Sequence, residues 1–167
     1  IKLDFESLWV QIETILLSIA RCVSGDEEQL TKVKITELKE KMLDLSDRSG
    51  RDQTTNYCRI ILLMVDIGTE TLLHLFYSRV PKHSVNGYFA AKRSEIEDGK
   101  KKKVFDKSQY AKLTCPDPNP DEFDISLLIK LITYFNLSPL KLDSLQKIRN
   151  EIVGHKCRAE LIKLDFE

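Results

Sequence analysis

Apolar residues recur at helical spacing over the first part of the chain. From Ser7 to Val23 they return every three to four positions, which is typical of a helix with one buried face. Ser7 is a suitable N-cap and Gly25 a suitable stop. Asp26 then begins a second, more polar helix that reaches about Leu45 and carries many Lys and Glu residues on its outer face. The pattern therefore predicts two amphipathic helices.

The longest apolar pattern lies in the middle of the chain. Residues 47–55 are polar and aperiodic, which predicts a linker. Thr55 or Asn56 is expected to cap a helix from Tyr57 to about Tyr77, and Pro81 is expected to end it. Apolar residues leave only a narrow polar stripe on this helix, so we expect it to be central.

Residues 82–122 mix short helical patterns with loop signals. We expect short helices from Tyr88 to Ile96 and from Val104 to Leu113, followed by a proline-rich extended stretch from Cys115 to Pro120. A loop region of this length inside a compact domain is typically functional or partly mobile.

Two amphipathic helices complete the pattern. Asp124 is expected to cap Ile125–Phe135, Ser138–Pro139 to break the chain, and the last helix to run from Leu142 to about Leu161. No strand pattern appears anywhere. The sequence predicts an all-α fold, with residues 1–167 forming a single domain built as a bundle of four or five main helices.

Composition narrows the function classes. The chain has 167 residues, enough for one domain, and its 26 Lys and Arg balance 26 Asp and Glu, so any contact with RNA must be local. Four cysteines without a CxxC pair argue against a zinc site and indicate reduced thiols. No metal or cofactor is predicted. The sequence also lacks a continuous run of about 20 apolar residues and a signal-peptide start, which predicts a cytoplasmic protein without membrane contact.

The candidate chemistry lies on the last predicted helix, where Arg149 and Asn150 are followed by His155. An Arg fork can hold a phosphate by two charge-assisted bonds, and a His can move a proton near neutral pH, so the set suits metal-independent cleavage of a phosphodiester. Six positions along a helix separate two side chains by about 120°. Arg149 and His155 face one point only if Gly154 disturbs or ends the helix, or if two subunits share a site.

The first six residues recur at the other end of the chain. Ile1–Glu6 and Ile162–Glu167 both read IKLDFE. A circular permutation with its native ends joined through 47–55, a tandem array cut in mid-repeat, and a tag at both ends all explain this repeat. Re-ordering of the chain is the favoured explanation, and it predicts that the helix from Ser7 to Val23 packs beside the last helix.

Several segments together carry a family resemblance. These are Asn56–Thr69, Gln109–Pro116, Phe123–Pro139 and the stretch Arg149–His155. The chain resembles HEPN domains of the DAZ-interacting ubiquitin-ligase type: the first and third segments are similar to the core helices, the second to the loop between them, and the last to the superfamily motif of an Arg, a polar residue and a His.

The order of the helices departs from that family. Trp9–Arg21 resembles a helix that follows the motif His in the family but comes first here. On this interpretation residues 1–46 correspond to the family's C-terminal helices, 47–55 form a linker, and 56–167 hold the core helices and the motif.

The resemblance implies a dimerising helical bundle that acts on RNA as a metal-independent endoribonuclease or as an RNA binder. His155 would serve as general base or acid on the ribose 2′-hydroxyl, Arg149 would hold the scissile phosphate, and Asn150 would orient the phosphate or the His. Because the attacking group is the 2′-hydroxyl, DNA should be spared.

Other charged residues have two interpretations each. Lys100, Lys101, Lys102 and Lys103 form either a phosphate-contacting arm or a solvated loop. Arg59 faces RNA or is an ordinary surface charge, and Asp66, within the most apolar helix, is a candidate ion-pair partner of Arg149. The competing function is a non-catalytic dimerisation or interaction module of a larger multidomain protein. An exposed, positive cleft lined by Arg149 and His155 would favour RNA, whereas two separate buried ion pairs would favour the module.

Overall fold

The computed structural model describes residues 4–49 and 53–159, together with the side chains of residues 4–41 and 57–152. Helices account for most of these residues, and the described ranges contain no strand, so the predicted all-α class is confirmed. Buried apolar side chains from the first helix to the last form one contiguous core. The predicted number of four or five main helices stays a prediction, because several shorter helices also pack on this core.

The first two helices form a tight hairpin. Helix α1 spans Phe5–Val23 and α2 spans Gly25–Ser49. The side chain of Asp4, not Ser7, caps α1 by accepting the N–H of Ser7 at 3.2 Å, so the helix begins earlier than predicted. At the other end Ser24 has an extended backbone, and its hydroxyl accepts the N–H of Glu27 at 3.1 Å. Ser24 therefore takes the predicted role of Asp26, and Gly25 begins α2 instead of stopping α1.

The predicted linker is largely helical. Residues 47–49 end α2 and residues 53–55 begin α3, which spans Gln53–Leu62, so the prediction of an aperiodic linker is wrong at both ends. Residues 50–52, its centre, lie outside the described part of the chain. Polar residues are compatible with a helix, but a search for apolar periodicity does not detect them.

The predicted central helix exists, but it contains a change of geometry. It consists of α3, a π segment at Leu63–Gly68 and α4 at Thr69–Arg79. A π-helix bonds each N–H to a carbonyl five residues back, and such turns often occur at functional sites. Gly68 is the last residue of the segment and packs closely on the core. An added Cβ at this position would lie only 3.1 Å from Ile125 Cδ1.

This central helix is also long and apolar enough to cross a membrane, by length and composition alone. The continuous stretch Tyr57–Arg79 has 23 residues, but half of its most apolar window is buried inside the protein core. A buried core helix passes the same test, so this property is weak evidence for a membrane span.

Residues 82–122 form a packed layer of short helices. These are α5 at Val85–Ala91, α6 at Arg93–Lys101 and α7 at Lys107–Thr114. The predicted helix from Tyr88 to Ile96 is thus two helices that meet at Lys92. The layer is fastened by ring contacts among aromatic residues: Phe76, Tyr88, Phe89, Phe123 and Phe135.

The start of α7 shows why the second short helix was predicted too early. Asp106 accepts the backbone N–H of Gln109 at 2.8 Å, and the Gln109 side chain accepts the N–H of Asp106 at 3.1 Å. This capping box fixes the first turn at Lys107, three residues after the predicted start at Val104.

The last two helices lie close to their predicted positions. Helix α8 spans Ile125–Tyr134, and the Asp124 side chain caps it by accepting the N–H of Leu127 at 2.8 Å, as predicted. Helix α9 spans Asp143–Ala159 and buries Leu145, Ile148 and Ile152. The backbone of α9 continues through positions 154 and 155, so the helix does not end early at the glycine.

Helix α1 packs against α2, against the central helix and against α9. The predicted contact between the first and last helices is therefore confirmed.

Candidate functional site

Arg149 lies at the edge of the core on α9. Its neighbour Ile148 and the next-turn residue Ile152 are buried, while Arg149 itself is half-buried. The Arg149 Nη1 donates to Asn150 Oδ1 at 3.2 Å. Among the described side chains, no carboxylate lies within 4.0 Å of this guanidinium. The positive charge is thus positioned by an amide oxygen.

Asn150 is held from two sides. Its Oδ1 also accepts a hydrogen bond of 2.9 Å from Gln146 Nε2, one turn earlier on α9. With its oxygen occupied twice, the exposed side chain presents its amide N–H groups toward solvent. Gln146 was missed in the sequence, although its spacing of four residues from Asn150 was a usable signal.

Arg149 also lines a cleft of about 410 Å³. One wall is the central helix around its π segment, another is the segment that leads into α8, and the third is α9. Its apolar lining residues are Ile61, Met64, Val65, Phe123, Ile125 and Ile152. Three carboxylates, Asp121, Glu122 and Asp124, line the same cleft.

Each of these carboxylates has a local hydrogen-bond donor. Asp121 accepts a hydrogen bond of 2.7 Å from the Tyr77 hydroxyl and lies 3.6 Å from Lys82 Nζ. Burial, and then this bond to Asp121, raise the pKa of Tyr77 above its usual range. Glu122 accepts from Asn119 at 3.4 Å, and Asp124 caps α8. The described lining thus sets three carboxylates against Arg149, and the cleft is not the positive one expected for RNA.

His155 lies on α9, but its side chain is outside the described part of the structure. The helical backbone places it six residues beyond Arg149, which corresponds to a rise of about 9 Å and a rotation of about 120°. Since α9 is uninterrupted at Gly154, the glycine does not bring the two positions to one face. Within a single chain the two positions therefore lie on different faces of the helix.

Asp66 does not form the predicted ion pair with Arg149. It lies exposed on the π segment and lines a separate small groove together with Lys34, Lys41 and Glu70. The prediction assumed that a residue within the most apolar helix would be buried. Asp66 instead lies on the narrow polar side of the π segment, and this side faces α2.

The lysine run lies at the opposite end of α8 from the cleft. Lys100 and Lys101 belong to α6, and all four lysines of 100–103 are exposed. Lys100 Nζ lies 4.1 Å from the centre of the Tyr110 ring, and Lys102 Nζ lies 2.7 Å from Asp98, which also accepts from Tyr134 at the end of α8. With ten residues, α8 separates this corner from the cleft by about 15 Å.

Arg59 and the three cysteines whose side chains are described do not form a second candidate site. Arg59 is half-buried on α3, which favours neither of its two interpretations. Cys58 and Cys115 are exposed thiols and Cys22 is half-buried. Among the residues that the structure describes, no cluster of His, Cys, Asp and Glu has the arrangement of a metal site.

The chain matches no protein-family model, no curated protein and no solved structure. The HEPN resemblance therefore stays an interpretation of the sequence, and the class that the structure itself defines is an all-α helical domain.

Proposed function

We propose that this helical domain acts on RNA and that Arg149 and Asn150 bind a phosphate of the RNA backbone. The observation that carries the proposal is the state of Arg149. Its guanidinium is fixed by Asn150 and pairs with no described carboxylate, although three carboxylates line the same cleft. An oriented guanidinium without a carboxylate partner retains the N–H fork that phosphate oxygens accept.

The approach of the phosphate follows from the charges around it. The three carboxylates of the cleft repel a phosphate, so the RNA backbone approaches from the solvent side of α9, where Asn150 and Lys147 are exposed beside the two carboxylates of Asp143 and Glu151. The amide N–H groups of Asn150 point to this side and add donors beside those of Arg149. Recognition at this surface is local, in keeping with the zero net charge of the chain.

Cleavage at this surface needs a proton acceptor and a proton donor. His155 would take the proton from the ribose 2′-hydroxyl, whose oxygen attacks the phosphorus while the bond to the 5′-oxygen breaks. A second, protonated His155 would give a proton to that leaving oxygen. The products are a 2′,3′-cyclic phosphate and a 5′-hydroxyl, and the reaction consumes no water in this step.

The rotation of about 120° between Arg149 and His155 supports a shared site in a homodimer. Two copies related by a two-fold axis would pair Arg149 of one subunit with His155 of the other, and would supply both imidazoles. The exposed thiols Cys58 and Cys115 fit a reducing cytoplasm. Such a domain would serve within a larger multidomain protein.

The test is cleavage of a labelled structured RNA in excess EDTA. The wild-type domain should produce 2′,3′-cyclic phosphate ends, and His155→Ala and Arg149→Ala should each reduce the rate by about a hundredfold or more. His83→Ala and Arg93→Ala, at exposed positions outside α9, are the matched controls and should cleave normally. Cleavage by the His155→Ala protein at the wild-type rate would refute the catalytic role.

A second candidate function is a non-catalytic helical interaction module. The apolar cleft with its acidic edge favours it, because such a surface suits a protein segment better than a polyanion. A folded, dimeric protein that neither binds nor cleaves RNA would establish this function over the first.

The contact between α1 and α9 supports the proposal that the chain order is a circular permutation. The end of α2 and the start of α3 are separated by three residues only, so new ends can be opened there with little change to the core. A chain that starts at Asn56, runs to Glu167 and continues with Ser7–Ser46 should fold to the same helix content, as judged by circular dichroism. Loss of the fold in this re-ordered chain would contradict the permutation.

A further inference from the structure

The acid-lined cleft beside α9 shares Arg149 with the proposed contact with RNA, but its other lining residues have no role in that contact. We call it the Val65 cleft, after the residue at its mouth: its described lining is the central helix around the π segment, residues 121–125, Arg149 and Ile152. Val65 exposes 47% of its surface, which is high for a branched apolar residue on a core helix. The cleft thus offers an apolar surface to something other than the core of this chain.

One wall of the cleft is an apolar stripe that ends at a threonine. Ile61, Met64, Val65 and Thr69 lie along one face of the central helix, across the junction with the π segment. The nine residues 61–69 span about 12 Å from the first to the last, which equals roughly two turns of a partner helix. A helix that binds in a groove is held by apolar side chains that recur over such a length, at positions i, i+3, i+4 and i+7.

The opposite wall supplies a charge pattern. Asp121, Glu122 and Asp124 are exposed residues that stand together where the chain enters α8. Arg149 stands on the other wall without a described carboxylate partner. A bound segment is therefore favoured if it places basic side chains beside residues 121–124, and disfavoured if it places them beside Arg149. A segment with basic residues on every face is thus excluded as the ligand.

We propose that the Val65 cleft binds an amphipathic helical segment of a partner protein, with an apolar face and with Lys or Arg on one flank. Its apolar side chains pack on Val65, Met64 and Ile152, and its basic flank lies along Asp121, Glu122 and Asp124. This surface goes beyond the proposed contact with RNA, which uses the solvent side of α9.

Three synthetic peptides of about ten residues test the charge and apolar requirements. The first has a Leu face and Lys on one flank, the second has Glu in place of Lys, and the third has Ser in place of Leu. Fluorescence anisotropy should show the first peptide binding at least about tenfold more tightly than the other two. Equal binding of the Lys and Glu peptides would overturn the proposal.

Val65→Gln is the decisive variant, and Val33→Gln is its matched control. Both valines are exposed on helices, at 47% and 52%, so neither change removes a core contact, but only Val65 lines the cleft. Binding of the Lys peptide should weaken about tenfold in Val65→Gln and stay unchanged in Val33→Gln. Glu122→Gln should weaken binding less, by about threefold, and raising the salt concentration should reduce that difference.

The outcomes separate this proposal from the one on RNA. Val65→Gln should cleave or bind RNA as the wild type does, whereas His155→Ala should bind the Lys peptide normally. An RNA that displaces the peptide and whose binding is weakened by Val65→Gln would assign the cleft to RNA. A dimer that dissociates on Val65→Gln would assign it to a second copy of this chain. Either result overturns the proposal.

Discussion

The two ends of α8 show how differently this protein treats its cations. At the far end, four consecutive lysines are exposed, but Lys102 pairs with Asp98 and Lys100 stacks on Tyr110. At the near end, Arg149 stands beside three carboxylates and bonds to an amide instead. The density of positive residues in the sequence therefore does not identify the cation that is available to a ligand. That cation is identified by the group with which each positive side chain is paired in the structure.

The sharpest test of this comparison removes one cation from the near end and, in a separate variant, two from the far end. Arg149→Ala should lower RNA affinity at least about tenfold, because a charge-assisted fork is lost. Lys101→Ala and Lys103→Ala together should lower it by no more than about twofold, since exposed lysines contribute weakly. Filter binding at fixed ionic strength measures both effects. A larger loss in the double lysine variant would move the RNA site to the other end of α8.

The packing at the lysine end can be broken through Gly99. An added Cβ would lie 2.7 Å from Phe105 Cε2 and 3.4 Å from Tyr134 Cζ, and the Phe105 ring is buried in the core. Gly99→Ala should destabilise the fold by about 1–3 kcal/mol, as overpacking does. Gly87→Ala, where nothing lies within 4 Å, should instead stabilise by up to about 1 kcal/mol. Urea unfolding of the two variants should give opposite signs.

The hold on Arg149 can be loosened without removing its charge. Gln146→Ala deletes one of the two donors to Asn150 Oδ1, so the amide and the guanidinium lose their fixed orientation. One such hydrogen bond is worth about 1 kcal/mol, which predicts an RNA affinity about fivefold lower. Lys147→Gln on the same exposed surface is the control that separates orientation from charge: its loss of affinity should vanish at high salt, and that of Gln146→Ala should persist.

The smallest effect concerns Asp98 at the lysine end. The hydrogen bond from Lys102 holds the pKa of Asp98 below its usual range. A lowered pKa means that the pair stabilises the fold above the ordinary pKa of the carboxyl, and that this contribution is lost as the pH falls through the folded-state pKa. Lys102→Gln should raise the pKa of Asp98 toward its ordinary value in an NMR titration. An unchanged pKa would show that the pair does not form in solution.

Local signals in the sequence predicted local structure well. The cap at Asp124 and the buried face of α9 follow from residue type and spacing, and the structure agrees. The sequence predicts Asp26 as the N-cap of α2, whereas the structure has Ser24 in that role. Both residue types are good N-caps, so residue type alone does not choose between two candidates only two positions apart. Polar residues at 47–49 and 53–55 carry no apolar period, so their helical state was not detected.

The geometry of the candidate site was only partly predictable. The hydrogen bond between Gln146 and Asn150 could be expected from their spacing of four residues on a helix, whereas the one between Arg149 and Asn150 could not, because consecutive helical residues do not face each other. The cleft joins residues near positions 61–69, 121–125 and 149–152, which meet only through tertiary packing. The pairing of Arg149 with Asp66 was wrong for the same reason. A charged residue within an apolar helix can lie on its buried face or on its exposed face, and the sequence does not say which.

The π segment has a consequence for insertions and deletions. A π turn is an α-helix that accommodates one extra residue, and here the two exposed residues of the segment, Val65 and Asp66, occupy its outer side. Removing one of them would restore α geometry locally and leave α3 and α4 in nearly the same rotation, because the π turn absorbs the extra residue. Removing a residue from the regular turns of α3 would instead rotate the rest of α3 by about 100° against α4. Tyr57 and Ile60 would then leave the positions from which they reach α9 and the core. A deletion of one residue should thus be tolerated better at the outward-facing π segment than in the regular turns beside it.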